Sequence, residues 1–234
     1  MIEKLAAVQM SIVEGEVARN LDRAAQLIRA ASGADLYLLP ELFTSGYAFD
    51  AWPAIARDEF STTVEWMQSV ARETKAFLAG SIIALNDEGR LANRFLLFDR
   101  EGREVLRYDK AHLFSALRED EHLAPGGPPQ VVELEGLRVA PAICYDLRFP
   151  EMFRRAALQT AATPRCAVRR ARLGRRGRER RHRGPGSHAA REVAAVVARV
   201  RGPAIGRRLR LKPESGLQSA AAGLQSRCGL DRAG

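Results

Sequence analysis

Aromatic side chains run out well before the end of this chain. None of its nine Phe, four Tyr and two Trp residues lies after Gln159. Acidic residues thin out at the same point. Up to Gln159 there are 24 Asp and Glu against 18 Lys and Arg, but from Thr160 to Gly234 there are 4 against 19. The net charge of +9 therefore hides a −6 piece followed by a +15 piece. Aromatics supply much of the area a core buries, so one core built evenly over both pieces is excluded. Cysteine is also scarce. Cys144, Cys166 and Cys228 are widely and irregularly spaced, which suits neither a disulfide framework nor a zinc site. No apolar run approaches the roughly 20 residues of a membrane helix. The opening MIEKLAAVQMSI carries Glu3 and lacks the basic start and long apolar run of a signal peptide. A soluble cytoplasmic protein is the expectation, with no membrane partner. At 234 residues the chain is long enough for an α/β domain with a substantial core.

What is present falls into clear segments. LAAVQMSI reads as a strand, and VARNLDRAAQLIRAA as a helix with Leu21, Ala24, Ala25 and Ile28 on one face. ADLYLLPELF is an apolar run of strand length without alternation, the pattern of a strand covered on both faces. TTVEWMQSVARETK is helical. AFLAGSIIAL and RLANRFLLFD form a hairpin across NDEG. REVLRYDKAHLF follows, then a Pro/Gly-rich stretch, the turn-linked pair VVELEGLRVAPAIC, and a helix starting near Glu151. Strands and helices in this order predict an α/β sheet with mixed strand directions over residues 1–159. Residues 160–234, rich in Arg, Ala and Gly, have the composition of a disordered segment.

Three reactive side chains stand where apolar strands end: Glu41 after LYLLP, Lys110 after VLRYD and Cys144 after VAPAI. Strand ends of an α/β sheet share one rim, where such folds place their sites. A thiol needs a base to become a thiolate, and a buried glutamate with a raised pKa serves. An ammonium with a nearby backbone N–H stabilises the charge that develops on an attacked carbonyl. The helix beginning near Glu151 lowers the Cys144 pKa if its N-terminus points at the sulfur. Each residue also has a plainer reading: Cys144 as a small buried hydrophobe, Glu41 as a strand terminator, Lys110 as a solvated edge residue.

LLPELFTSGYA (38–48), YDKAHLF (108–114) and ICYDLRFPE (143–151) resemble, in order and separation, the three signature blocks of the nitrilase superfamily, the carbon-nitrogen hydrolases. NRFLLFD (93–99) and DEHLAPG (120–126) stand where its members carry similar segments, and the wording is most like the ω-amidase and Nit-type amidases. The resemblance covers residues 4–159. It implies an α-β-β-α sandwich, Glu41 as general base, Cys144 as nucleophile, Lys110 as the group polarising the carbonyl, and a further glutamate after the lysine block. For that glutamate Glu121 is chosen over its rival Glu119. The implied reaction is hydrolysis of a small amide or nitrile through a thioester, with no metal or organic cofactor and with assembly as a homo-oligomer. Arg148 meets either a substrate carboxylate or a neighbouring loop carboxylate. Tyr47 is expected to line the pocket, and Phe43 to pack in the core.

The resemblance stops near Gln159, so the sandwich is expected to be incomplete beyond it. The superfamily's next apolar strand, aromatic site loop and Ala-x-Ile-Glu-Asn helix do not appear. A frameshift near codon 160 in a GC-rich gene accounts for both the break and the composition, because out-of-frame GC-rich codons yield Arg, Ala, Gly and Pro. VRRAR (168–172) is compatible with a one-base shift that reads Phe-Ala-Val-Pro-Ala. The alternative is a genuine basic tail on a non-catalytic chain, which would bind nucleic acid non-specifically and lose affinity steeply with salt.

Overall fold

The computed structural model describes residues 1–158, together with two-residue strands at Cys166–Ala167 and Arg199–Val200. The basic segment from 160 onward, with its expected disorder and nucleic-acid binding, otherwise lies outside the described residues.

Five strands form one sheet in the order β1-β2-β3-β4-β5: Leu5–Ala7, Leu36–Leu38, Phe77–Leu85, Leu91–Phe98 and Glu104–Asp109. The first three strands run parallel and the last two add antiparallel hairpins. The parallel pairs are joined by helix α1 (Val17–Ala30) and, through a short turn α2 (Trp52–Ala54) and a π-helical stretch Ile55–Glu59, by helix α3 (Phe60–Thr74). α1 buries Val17, Leu21, Ala24 and Ile28, the spacing of one helical face. These side chains pack with Met67, Val70 and Ala71 of α3 against Tyr37, Leu78, Ile82, Leu96 and Phe98 of the sheet.

The opposite face of the sheet carries Leu36, Leu38, Phe77, Ala79, Phe95 and Leu97, which pack with Leu134 and Val139. Strands β2 to β4 thus bury both faces, which is why ADLYLLPELF shows no alternation. Only Leu36–Leu38 of that run is a strand. Pro40 cannot donate to a ladder, and Leu42 takes a left-handed φ of 47°, so the chain turns at once and aims Glu41 out of the sheet edge.

A second hairpin, β6 (Val132–Leu134) and β7 (Leu137–Val139), turns through Glu135 and Gly136, both at positive φ, the geometry of a two-residue primed turn. The strand expected to continue through VAPAI to Cys144 does not form as one. Pro141 interrupts it, and beyond the proline only Ile143 forms a bridge. The run is buried nonetheless: Val139, Ala140, Ala142 and Ile143 are all shielded from solvent. A short helix α4 (Glu119–His122) and helix α5 (Pro150–Leu158), which begins at a proline as helices favour, complete the described chain. No described helix is long and apolar enough to cross a membrane.

One polar contact positions the site from within this frame. Asn20, buried on α1, donates to the carbonyls of Val13 and Thr44, each at 2.7 Å, and accepts from the Val13 N–H at 2.9 Å. Its amide fastens the segment just after Glu41 to the first helix.

Candidate active site

The sheet edge where β2 and β5 end and β4 begins collects a buried charged cluster. Lys110 follows β5 directly, and its side chain is fully buried. The ammonium Nζ lies 2.8 Å from Glu41 Oε1 and 2.8 Å from each Glu119 oxygen. Its backbone is held on both sides, the N–H donating to the Asn93 carbonyl and the carbonyl accepting from the Gly126 N–H, each at 2.9 Å. Asn93 Nδ2 also donates to Glu41 Oε1 at 2.8 Å. The Tyr47 hydroxyl stands 3.3 Å from Glu41 Oε2 and 3.2 Å from Glu119 Oε1. Glu119 Oε2 accepts from the Phe114 N–H at 2.8 Å. The Cys144 thiol donates to the Glu41 carboxylate.

Electrostatics follow from this burial. Removal from water pushes the Glu41 carboxyl up, and the neighbouring Glu119 charge adds to the rise. The Lys110 ammonium and the hydrogen bonds from Lys110 and Cys144 offset only part of it. Burial alone would lower the Lys110 ammonium, but the charges of Glu41 and Glu119 outweigh it and hold the group above its ordinary value. Burial, then the charges of Glu41 and Glu119, push the Tyr47 phenol far above its usual range, so it donates and does not ionise. Two carboxylates around one ammonium leave an excess negative charge in a dry site. A glutamate that readily takes up a proton relieves it.

Cys144 is half-buried and sits at φ 44°, a left-handed conformation that a residue with a Cβ adopts only when its surroundings force it. It opens a short 3-10 turn, Cys144–Arg148. α5 begins only at Pro150, so the helical N-terminus beside the sulfur belongs to this turn and not to the helix expected to face it.

Glu41, Lys110, Cys144 and Tyr47 are therefore brought together, while Glu121 is not. Glu121 is exposed and forked by Arg118 at 2.9 and 2.6 Å, a pairing that lowers its pKa. Glu119 takes the place expected of it. Two residues apart on a helix face different directions, so only one of the pair reaches the lysine. Arg148 is exposed and forms no ion pair among the described residues, which leaves the loop-carboxylate contact unmade. Phe43 is a core residue, fully buried 6.0 Å from the Trp66 ring. Two site residues had no place in the sequence reading, Asn93 and Asp146, both fully buried. For Asn93 a signal existed: an amide in an otherwise apolar strand must find a partner.

Gly126 admits no side chain. A Cβ there would collide with the Asp109 backbone carbonyl, next to Lys110. Gly126→Ala is expected to cost about 1–3 kcal/mol through overpacking. Because the collision falls on the lysine loop, any activity that depends on the Lys110 cluster should weaken with it, and urea unfolding alongside an activity assay measures both.

A family model of the carbon-nitrogen hydrolases matches residues 4–163. The chain belongs to this family. Among curated relatives of this chain, the ω-amidase YafV of Escherichia coli K12 is 38% identical over 148 residues, covering 63% of this chain and 56% of the relative. The 2-oxoglutaramate amidase of Bacillus subtilis is 30% identical over 152 residues, covering 64% and 59%. The chain thus spans little more than half the length of the curated relatives it matches. Among solved structures, a carbon-nitrogen hydrolase superfamily protein of Xanthomonas campestris with an arsenic adduct in its active site aligns with a TM-score of 0.57 and 36% identity, covering 62% of this chain and 54% of that one. A variant of the amidase from Nesterenkonia sp. AN1, carrying acrylamide on its active-site cysteine after Michael addition, aligns with a TM-score of 0.60 and 28% identity, covering 67% and 63%. These neighbours share the mixed α/β sheet described above.

Proposed function

We propose that the chain is built as a thiol amidase that cleaves a small carboxylate-bearing amide, in the manner that the names of its ω-amidase relatives suggest. The observation that carries this reading is the Cys144 thiol bonded to a buried Glu41 that also contacts Lys110. In the proposed cycle Glu41 takes the thiol proton and the sulfur attacks the amide carbon. Lys110 stabilises the oxygen that becomes negative. Glu41 returns the proton to the leaving nitrogen, the C–N bond breaks and ammonia departs, leaving a thioester on Cys144. Glu41 then takes a proton from water, the resulting hydroxide adds to the thioester, and collapse expels the thiolate with the carboxylic acid as product. Glu119 holds Lys110 from the side away from the reaction, and Tyr47 gives its single hydroxyl hydrogen to one or the other of the two carboxylates. Arg148, exposed at the end of the Cys144 turn, is the candidate for the substrate carboxylate. Homo-oligomeric assembly and a cytoplasmic setting belong to the same proposal.

The experiment is ammonia release from small dicarboxylate monoamides by the full chain. Release that saturates with substrate supports the reading, and a soluble, folded chain that releases none counts against it. A base works only when deprotonated. Because burial raises the Glu41 pKa, the acid limb of the rate is expected above the ordinary glutamate value of 4.5, with activity rising as pH climbs through it. A limb at or below 4.5 would separate Glu41 from the rate.

For residues 160–234 we infer a shifted reading frame. Resequencing codons 150–200 in all three frames tests this, and an unbroken frame would make the basic segment a real product whose DNA retention then needs measuring.

A further inference from the structure

Asp146 is fully buried, and both of its oxygens are saturated. Oδ1 accepts the His112 backbone N–H at 3.0 Å and faces His112 Nδ1 at 2.8 Å. Oδ2 accepts the Tyr108 hydroxyl at 2.8 Å and the Ile143 N–H at 2.9 Å. The Tyr108 oxygen itself accepts the Ala111 N–H at 3.0 Å, and its own hydrogen favours the charged Asp146 oxygen at 2.8 Å over the weakly accepting Met152 sulfur at 3.8 Å. Tyr108 and His112 stand two residues before and two after Lys110, and Ile143 immediately precedes Cys144. One carboxylate therefore grips the lysine loop on both sides and the nucleophile turn at its entry. The His112 ring extends the grip by stacking on Phe149, at the end of the same turn, with centroids 3.6 Å apart and planes 10° apart.

The geometry points to Asp146 as the positioning residue of the site: it fixes the distance between the Cys144 turn and the Lys110 loop. The φ of 44° at Cys144 persists because the preceding N–H is tied down. Release of that tie lets the backbone relax and takes the sulfur away from Glu41. Asparagine cannot substitute. Whichever way its amide is turned, the new NH2 group faces a backbone N–H, that of Ile143 or that of His112.

This inference rests on Cys144 being the nucleophile, and the test separates the two. Iodoacetamide alkylation of the full chain is followed at Cys144 by peptide-resolved mass spectrometry, since the sequence also carries Cys166 and Cys228. In Asp146→Asn, with the far-ultraviolet circular dichroism unchanged, the Cys144 rate is expected to fall about tenfold or more. Its pH midpoint should move upward as the thiol loses its base. In the ammonia assay kcat should fall while KM stays within about twofold. A folded Asp146→Asn protein whose Cys144 alkylates at the wild-type rate and pH midpoint overturns the inference. If the wild-type chain releases no ammonia, the amidase reading fails while the alkylation comparison still decides the role of Asp146. Should Asp146→Asn not fold, Tyr108→Phe, which removes one of the four donors, carries the test. A clear drop in its Cys144 rate supports the grip, and an unchanged rate overturns it.

Discussion

Cys144→Ala is expected to abolish ammonia release, with a loss of at least about a thousandfold in kcat, because no other group in the cluster can form the thioester. The change should leave the fold intact. The side chain is half-buried and its removal leaves the contacts among Lys110, Glu41 and Glu119 in place. Ammonia assays on matched, folded preparations check this, with urea midpoints compared in parallel. Residual turnover near the wild-type rate would mean that the reaction runs elsewhere or through a different nucleophile. A large loss of stability would mean that the thiol is chiefly a packing residue.

Lys110→Met is expected to have the largest effect on stability. Its side chain is fully buried between two carboxylates. Removing one partner of such a group leaves uncompensated charge in a dry site, at a cost of about 3–5 kcal/mol. The cost should depend on pH, and its sign follows from Glu41. That carboxyl is already raised above 4.5 in the folded protein, and loss of the ammonium raises it further. A group with a raised folded pKa favours the folded state below its unfolded value and withdraws that support as pH rises through the folded value. The deficit of Lys110→Met should therefore be smallest near pH 4.5 and grow toward neutrality. In the wild-type protein Lys110 behaves differently. Its own raised pKa keeps its contribution intact below 10.5, and that contribution is lost only as pH rises beyond it. Urea unfolding of both proteins at acid and neutral pH measures the difference. A deficit independent of pH would show that Lys110 acts there by volume and not by charge.

The sequence alone was enough for the periodic elements. α1, α3 and the β3–β4 hairpin form where apolar spacing and the NDEG turn require them, because each depends on contacts close in the chain. The resemblance over residues 4–159 placed Glu41, Lys110 and Cys144 in one site, and the match over residues 4–163 agrees in extent. Runs of apolar residues misled where a ladder partner decides the outcome. LYLLPELF holds three strand residues before Pro40 and the turn at Leu42, and VAPAI holds only Val139, the end of β7, and the bridge at Ile143.

Which polar groups meet was set by packing between segments far apart in the chain. Glu119 and Glu121 read alike in REDEH, and the rotation of one short helix gives the first to Lys110 and leaves the second to Arg118 and solvent. Asn93 and Asp146 acquired roles only when strands and loops far apart in sequence closed around Glu41 and around the two sides of Lys110. Local sequence fixes helix period and turn type, because those depend on neighbours a few residues away. Which carboxylate is dried, and what then neutralises it, depends on the whole fold, because burial and charge act through space.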